Sequence, residues 1–273
     1  MTLKKPEPQY EGRVLSLAGL DPSGGAGLLG DIKTISAHRC FGTGIVTAQT
    51  VQNTMGVSHV EAVDEFLIEK QLKAVLDDMG INAIKIGMLH NESIVQTIVS
   101  ELKERAHKYI VVLDPIINSS SGAKLISDAG IKSIKADLFS YIDVLTPNIP
   151  EAEVLTGVKI TSKEHMVAAA EIILEQGVGN VLLTGGHLDG DMVVDVLLTP
   201  SGLQFFESEK INAPNNHGTG CALSTSLTCY LSQGLELSSA VKGARAFVQK
   251  ALRNSENIGQ GNGPIGLDGY KHV

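Results

Sequence analysis

Asn216-His217-Gly218-Thr219-Gly220-Cys221 is the stretch of this chain best equipped for chemistry. It stands directly before an apolar run that begins Ala222-Leu223-Ser224. Glycines ahead of a helix leave amides free at its N-terminus, where the helix dipole favours a phosphate or an oxyanion. Gly218, Thr219 and Gly220 are therefore candidate oxyanion contacts. A cysteine in that first turn would have its thiolate stabilised by the same dipole, which makes Cys221 a candidate base. The plainer reading of Cys221 is a small buried apolar residue, as free cysteines often are. Cys40 and Cys229 fit that plainer reading better.

Three further segments combine unusual composition with a place at the end of a strand. Ala18-Gly19-Leu20-Asp21-Pro22-Ser23-Gly24-Gly25-Ala26-Gly27 has three glycines within four residues, which lets backbone approach a ligand and expose amides. Its spacing is neither GxGxxG nor the Walker pattern, and a structural turn carries equal weight. In Thr146-Pro147-Asn148-Ile149-Pro150-Glu151, Asn148 and Glu151 sit three apart where a helix begins, so both can face one ion. Magnesium in phosphoryl-transfer sites takes one or two carboxylates and keeps several waters. The same spacing also makes a capping box, which the residues alone favour. In Leu113-Asp114-Pro115 the proline ends the ladder and presents Asp114 at the strand terminus; turn initiation is the alternative.

The elements that must position these groups alternate along the chain. Apolar β-rich runs at Arg13–Ala18, Ala83–Gly87, Tyr109–Asp114, Tyr141–Thr146 and Asn180–Thr184 read as strands. Between them, Glu65–Asp78, Ser93–His107 and Ser162–Gln176 carry helical spacing, and Cys221–Ser232 and Leu237–Asn254 are expected as closing helices. Such alternation predicts an α/β fold with a mostly parallel sheet covered on both faces. Met192–Leu198 and Gly202–Glu207, joined by a turn, are expected as a hairpin at one sheet edge. One domain over residues 1–273 is expected, with 1–12 and 259–273 as tails.

Composition limits the partners. A formal charge of −8, with Lys and Arg scattered, argues against nucleic acid as the main ligand. No apolar run is long enough for a membrane helix, and the first residues lack the apolar core of a signal peptide, so a cytoplasmic protein is expected. Three widely spaced cysteines indicate neither a disulfide framework nor a zinc site.

Taken together and in this order, the segments resemble the hydroxymethylpyrimidine/phosphomethylpyrimidine kinases of the ribokinase-like superfamily. The resemblance covers Val14 to Pro264 and also includes Gln52-Asn53-Thr54-Met55-Gly56-Val57, Lys85-Ile86-Gly87-Met88-Leu89 and Gly185-Gly186-His187. It implies a three-layer α/β/α fold and ATP-dependent phosphorylation of 4-amino-5-hydroxymethyl-2-methylpyrimidine, then of its monophosphate, in thiamin biosynthesis. Under the resemblance Gly19, Ala26, Asp31, Gln52, Met88 and Ile116 would surround the pyrimidine. Asn148, Thr184 and Gly186 would lie against ATP, Asp114 and Glu151 would hold Mg²⁺, and Gly218–Gly220 would receive the phosphoryl oxygens beside the candidate base Cys221. A homodimer is also implied.

The chain departs from the family pattern at three places. Leu20 replaces a Ser or Thr, Ser120 stands where a lysine often precedes Ser-Gly, and Thr184 replaces a lysine before Gly185-Gly186. Lys124 is a substitute cation for one of these. Gln52 favours the pyrimidine because an amide offers both donor and acceptor to an aminopyrimidine edge; Thr184 resembles the pyridoxal kinase branch. The rivals are a pyridoxal kinase and a non-catalytic pyrimidine or ATP sensor. A sugar or nucleoside kinase would want aspartate at position 221.

Overall fold

The computed structural model describes residues 10–105, 108–188 and 190–267. In chain order the strands are β1 (Gly12–Leu20), β2 (Cys40–Asn53), β3 (Gly56–Ala62), β4 (Ala83–Ile86), β5 (Ile110–Leu113), β6 (Val144–Leu145), β7 (Val181–Leu183), β8 (Met192–Thr199) and β9 (Gly202–Glu209). The helices are α1 (Gly27–Ala37), α2 (Glu65–Asp78), α3 (Glu92–Glu104), α4 (Asp128–Ser133), α5 (Ile149–Thr156), α6 (Lys163–Glu175), α7 (Thr219–Ser232) and α8 (Leu237–Arg253). All nine strands join one sheet in the order β3-β2-β1-β4-β5-β6-β7-β8-β9. Strands β2, β1, β4, β5, β6 and β7 run parallel, while β3, β8 and β9 pair antiparallel at the two edges.

Alternation along the central strands divides the core in two. Val111 and Leu113, Leu145, and Val181 and Leu183 face the layer holding α2, α3, α5 and α6. Val112, Val144 and Leu182 point the other way, onto α7 and α8. Both faces of these strands are buried, which explains their near-continuous apolar runs. Helix α1 joins α7 on the second face through Val14, Ile35, Cys40 and Cys229. The expected three-layer ribokinase-like α/β/α arrangement is therefore found, and so is the edge hairpin, as β8 and β9. Among the described residues no helix is long and apolar enough to cross a membrane.

Several boundaries differ from expectation. The run Tyr141–Thr146 shrinks to the two-residue β6, because Phe139–Tyr141 forms a 3₁₀ turn that buries Phe139. Helix α3 ends at Glu104, and the expected extension to His107 lies outside the described residues. The β2–β3 hairpin was not anticipated. Of the expected tails, residues 1–9 and 268–273 lie outside the described residues, but Gly12 already belongs to β1. Residues 259–267 form a loop that is anchored: Ile265 and Leu267 are buried, and His217 and Pro264 make a parallel bridge.

Candidate active site

The chain runs from β1 to β2 on one side, then returns through β4 on the other, so a topological switch point lies between β1 and β4. Ligands of open α/β sheets bind beyond the carboxyl ends of the strands at such a point. The segments singled out above lie at strand ends there: 21–27 after β1, 87–89 after β4, 114–116 after β5, 146–151 after β6 and 184–187 after β7.

The first glycine-rich loop is built around Asp21. Its carboxylate accepts from Ser23 N (2.8 Å), Ser23 Oγ (2.7 Å) and Ala26 N (3.0 Å), and faces His217 Nε2 at 2.8 Å. Burial works against the charge, but the bonds from His217 and Ser23 hold this carboxyl below its usual range. Gly218 caps α7 with φ +89°, and a Cβ there would lie 2.0 Å from Gly25 O. The two glycine segments thus interlock by direct backbone approach. No side chain caps α7; Thr219 N bonds Asn216 O at 3.3 Å, while the amides of Gly220 and Cys221 face the position a ligand would take.

Beside this junction opens a cleft of about 570 Å³, its open mouth included, between the β2–β3 hairpin, Ser119–Ser121 and the 261–262 turn, with Gln52 and His217 in its wall. A register shift in the β2–β3 pairing next to Gln52 re-aims that side chain. Val57, opposite Gln52, packs with Ile116 onto the cluster of Ala48, Met88 and Leu125. Met88 also lies against Gly19, where a Cβ would come within 2.8 Å of its sulfur. Gly19, Ala26, Gln52, Met88 and Ile116 are therefore drawn toward one region. Asp31 is not part of its surface: fully buried, its carboxylate accepts from Ser16 Oγ (2.6 Å), Thr225 Oγ1 (2.7 Å) and Lys85 Nζ (2.9 Å). The expected contact of Asp31 with substrate is corrected to a supporting role beneath the site, because its acceptors are already taken.

Lys85 links this support to the reactive end. Burial alone would depress its ammonium, yet the nearby carboxylates, Asp31 first and then Asp114, raise its pKa above the ordinary value. Asp114 accepts from Ser224 Oγ (3.1 Å), and burial raises its pKa against the pull of Lys85. Burial also pushes the Cys221 thiol up to about 12; Lys85 opposes this, and Asp114 adds to it. The expected dipole-stabilised thiolate is thus corrected: Cys221 rests as a thiol, because desolvation outweighs the helix N-terminus. Cys40 and Cys229 are buried side by side in the α1–α7 interface, as the plainer reading has it.

At the end of β6 the capping box is realised in full. Asn148 Oδ1 accepts from Glu151 N, and Glu151 Oε2 accepts from Asn148 N, each at 2.9 Å. Glu151 is nonetheless more than a cap. Burial and the Asp114 charge push its pKa up to about 8, so two buried carboxyl groups lie within electrostatic reach. Two hard oxygen donors of this kind fit Mg²⁺, which needs few protein carboxylates when phosphates complete its shell. Among the described residues no group of three or more His, Cys, Asp or Glu could hold a metal. Asn148 bridges Thr184, while Gly186 is exposed in the next turn, so Asn148, Thr184 and Gly186 form a ledge at the ends of β6 and β7. Lys124 is not the free cation expected of it, since its ammonium pairs with Asp128 at 2.6 Å.

Four residues of this constellation carried no functional expectation: Lys85, Asp21, Ser224 and Thr225. A lone lysine inside the otherwise apolar strand Ala83–Ile86 was the one sequence signal for Lys85. Ser224 and Thr225 meet carboxylates from distant parts of the chain, and Asp21 adds the distant His217 to its local partners.

Comparison with known proteins agrees with this geometry. The family described as phosphomethylpyrimidine kinase matches residues 21–266. The hydroxymethylpyrimidine/phosphomethylpyrimidine kinase of Haemophilus influenzae is 40% identical over 265 residues, covering 96% of this chain and 98% of that relative. The crystal structure of phosphomethylpyrimidine kinase from Clostridium difficile superposes with a TM-score of 0.78 at 37% identity, covering 88% of this chain and 99% of that one. The pyridoxal kinase of Staphylococcus aureus, in complex with AMP-PCP and pyridoxal, gives a TM-score of 0.87 at 30% identity over 96% and 95% of the two chains. With its interlocked glycine loops, a family match over residues 21–266 and relatives of matching length, this chain belongs to the phosphomethylpyrimidine kinase family.

Proposed function

We propose that this protein is a cytoplasmic, homodimeric kinase, a single domain that transfers the γ-phosphoryl group of ATP to the hydroxymethyl group of 4-amino-5-hydroxymethyl-2-methylpyrimidine. The monophosphate product would return to the same cleft and be converted to the diphosphate. The observation that carries this reading is the cleft walled by Gln52 and His217, which lies directly beside the uncapped N-terminus of α7. Curated relatives of nearly equal length bear the name of this activity.

Phosphoryl transfer asks mainly for positioning and for neutralised charge on the moving group. The amides of Gly218–Cys221 would receive its oxygens, while Lys85 contributes a fixed positive charge from below. Asp114 and Glu151 would hold a Mg²⁺ ion, which when bound neutralises phosphate charge. Asn148, Thr184 and Gly186 would support the nucleotide. Gly19, Ala26, Met88 and Ile116 would shape the wall around the ring. Cys221, a thiol at rest, would have to give up its own proton before taking that of the alcohol, so it would act late in the transfer.

A second reading, pyridoxal phosphorylation, is favoured by Thr184 and by the likeness to pyridoxal kinase. Coupled ADP release with Mg-ATP at matched concentrations separates the two. Preference for the pyrimidines over pyridoxal and pyridoxine by about tenfold, or ~1.4 kcal/mol, is expected. Preference for pyridoxal would transfer the assignment to that substrate. Binding of nucleotide with no turnover of any of them would favour a sensor.

A further inference from the structure

We infer that the glycine-spaced loop 257–263 is a spacer between the ring-binding wall and the phosphoryl turn, and that Asn262 is a positioning residue holding that turn in line with the bound pyrimidine. The inference rests on the proposed kinase activity and adds to it a part that performs no chemistry of its own.

The sequence supplies the first indication. Glycines stand at every second position, 259, 261 and 263. A free tail has no need of that spacing, whereas close backbone packing does. A Cβ on Gly261 would lie 2.1 Å from Thr54 O, and one on Gly259 would lie 2.3 Å from Thr54 Oγ1. One on Gly263 would lie 2.6 Å from Asn215 Oδ1. The loop therefore meets two elements directly: the β2–β3 turn that follows Gln52, and the segment that leads into α7. Gly261 N also donates to Thr54 Oγ1 at 3.2 Å.

Two asparagine pairs fasten the second contact. Asn215, 3% exposed, accepts from Gly263 N at 2.9 Å and donates through Nδ2 to Asn257 Oδ1 at 2.8 Å, so it spans the neck of the loop. Asn262 Oδ1 accepts from Asn216 N at 2.9 Å, and Asn262 Nδ2 donates to Asn216 Oδ1 at 2.7 Å. The backbone N–H in each case requires oxygen on its side, which fixes both amides. Asn216 passes the constraint on, because its carbonyl accepts from Thr219 Oγ1 (2.6 Å) and Thr219 N (3.3 Å) in the first turn of α7. Gly261 and Asn262 stand in the wall of the same cleft as Gln52. Contacts thus run without a gap from Thr54 through Gly261 and Asn262 to Asn216 and Thr219. They join the hairpin beside the ring to the turn that receives the phosphoryl group. Transfer is sensitive to this alignment, since a misplacement of about 1 Å can cost ~10²-fold in rate.

The test measures single-turnover phosphorylation of 4-amino-5-hydroxymethyl-2-methylpyrimidine, with Kd for that pyrimidine and for ADP, in the wild-type protein and variants. Asn262→Leu keeps the size of the side chain and removes both of its bonds. Its rate should fall by about tenfold or more while both Kd values are retained, because each half of the site still binds. Asn262→Asp still accepts from Asn216 N, and the Asn216 amide can turn to donate to the second oxygen, so most of the rate should return. An unchanged rate in Asn262→Leu would overturn the inference and leave the kinase assignment intact. Weakened pyrimidine binding in that variant would also overturn it, by making Asn262 a substrate contact. Gly261→Ala approaches from the other end: the backbone at Thr54 must shift, and a comparable loss of rate with ADP Kd retained is expected. Normal turnover by Gly261→Ala would overturn the inference however Asn262→Leu behaves. Failure of the wild-type protein to phosphorylate any pyrimidine would remove the assignment and the inference together.

Discussion

The Lys85 ammonium lies 2.9 Å from the Asp31 carboxylate, and neither side chain reaches solvent. The pair joins β4 to α1 and carries Thr225 of α7 on the second Asp31 oxygen. Removing one partner of a buried ion pair leaves the other charge uncompensated. Lys85→Met is expected to destabilise the fold by about 3–5 kcal/mol, read from urea unfolding. Lys85→Met with Asp31→Leu should recover part of that loss, because no charge is then stranded. A fall in kcat persisting in the double variant, with stability regained, would mark the contribution of Lys85 to phosphoryl transfer.

Cys221→Ala separates a late-acting base from a packing residue. Expected is a fall in single-turnover rate of about 10²-fold, typical of a general base, with ADP affinity retained. Because the thiol pKa is pushed up to about 12, alkylation of Cys221 by iodoacetamide should stay slow at pH 8. An unchanged rate in the alanine variant would remove the base role and leave the α7 amides as the working part.

Glu151 predicts a signed pH effect. Its pKa is pushed up to about 8 from 4.5, so between those values the folded protein keeps a proton that the unfolded chain has lost. This contribution to stability is fully present below pH 4.5 and disappears as the pH rises through about 8. Unfolding free energies from pH 6 to 9 without ligands should therefore fall more steeply in the wild-type protein than in Glu151→Gln, by up to about 1.4 kcal/mol per pH unit. Parallel curves for the two proteins would refute the raised pKa.

Gly218→Ala tests the interlock of the two glycine loops. The residue has φ +89°, and its added Cβ would lie 2.0 Å from Gly25 O, so backbone must move. Backbone strain of this kind costs about 1–3 kcal/mol, and the larger effect should be on chemistry. A fall in kcat of about 10²-fold or more is expected, as for loss of an oxyanion contact. An active alanine variant would show that the turn does not need its observed geometry.

Legibility followed the range of the interactions. The Glu65–Asp78 helix and the Met192–Glu207 hairpin were readable because their apolar spacing is local. Strand β2 escaped notice because Gly42 and Gly44 interrupt its run. Those glycines admit Ile32, Ile35 and Leu28 of α1, a reason invisible without the helix packed above. Asp114, Glu151 and Gly218–Cys221 were singled out through their placement at strand and helix ends. Asp31 was recognised, but its partners at 16, 85 and 225 are dispersed along the chain, so its burial could not be foreseen. The Cys221 thiol was misjudged for a related reason. A helix N-terminus is local, whereas the desolvation that opposes it is contributed by the whole fold.

The His217–Pro264 bridge has a bearing on how the molecule is made. Residues 21–27 leave the ribosome early, yet the loop they form is completed by His217 and clasped by the strap at 263–267. In a chain synthesised from the N-terminus, every strand of the sheet is made before the residues that finish the substrate wall. A chain stopped short of residue 264 would lack this clasp, so incomplete products would hold no finished cleft in which to consume ATP.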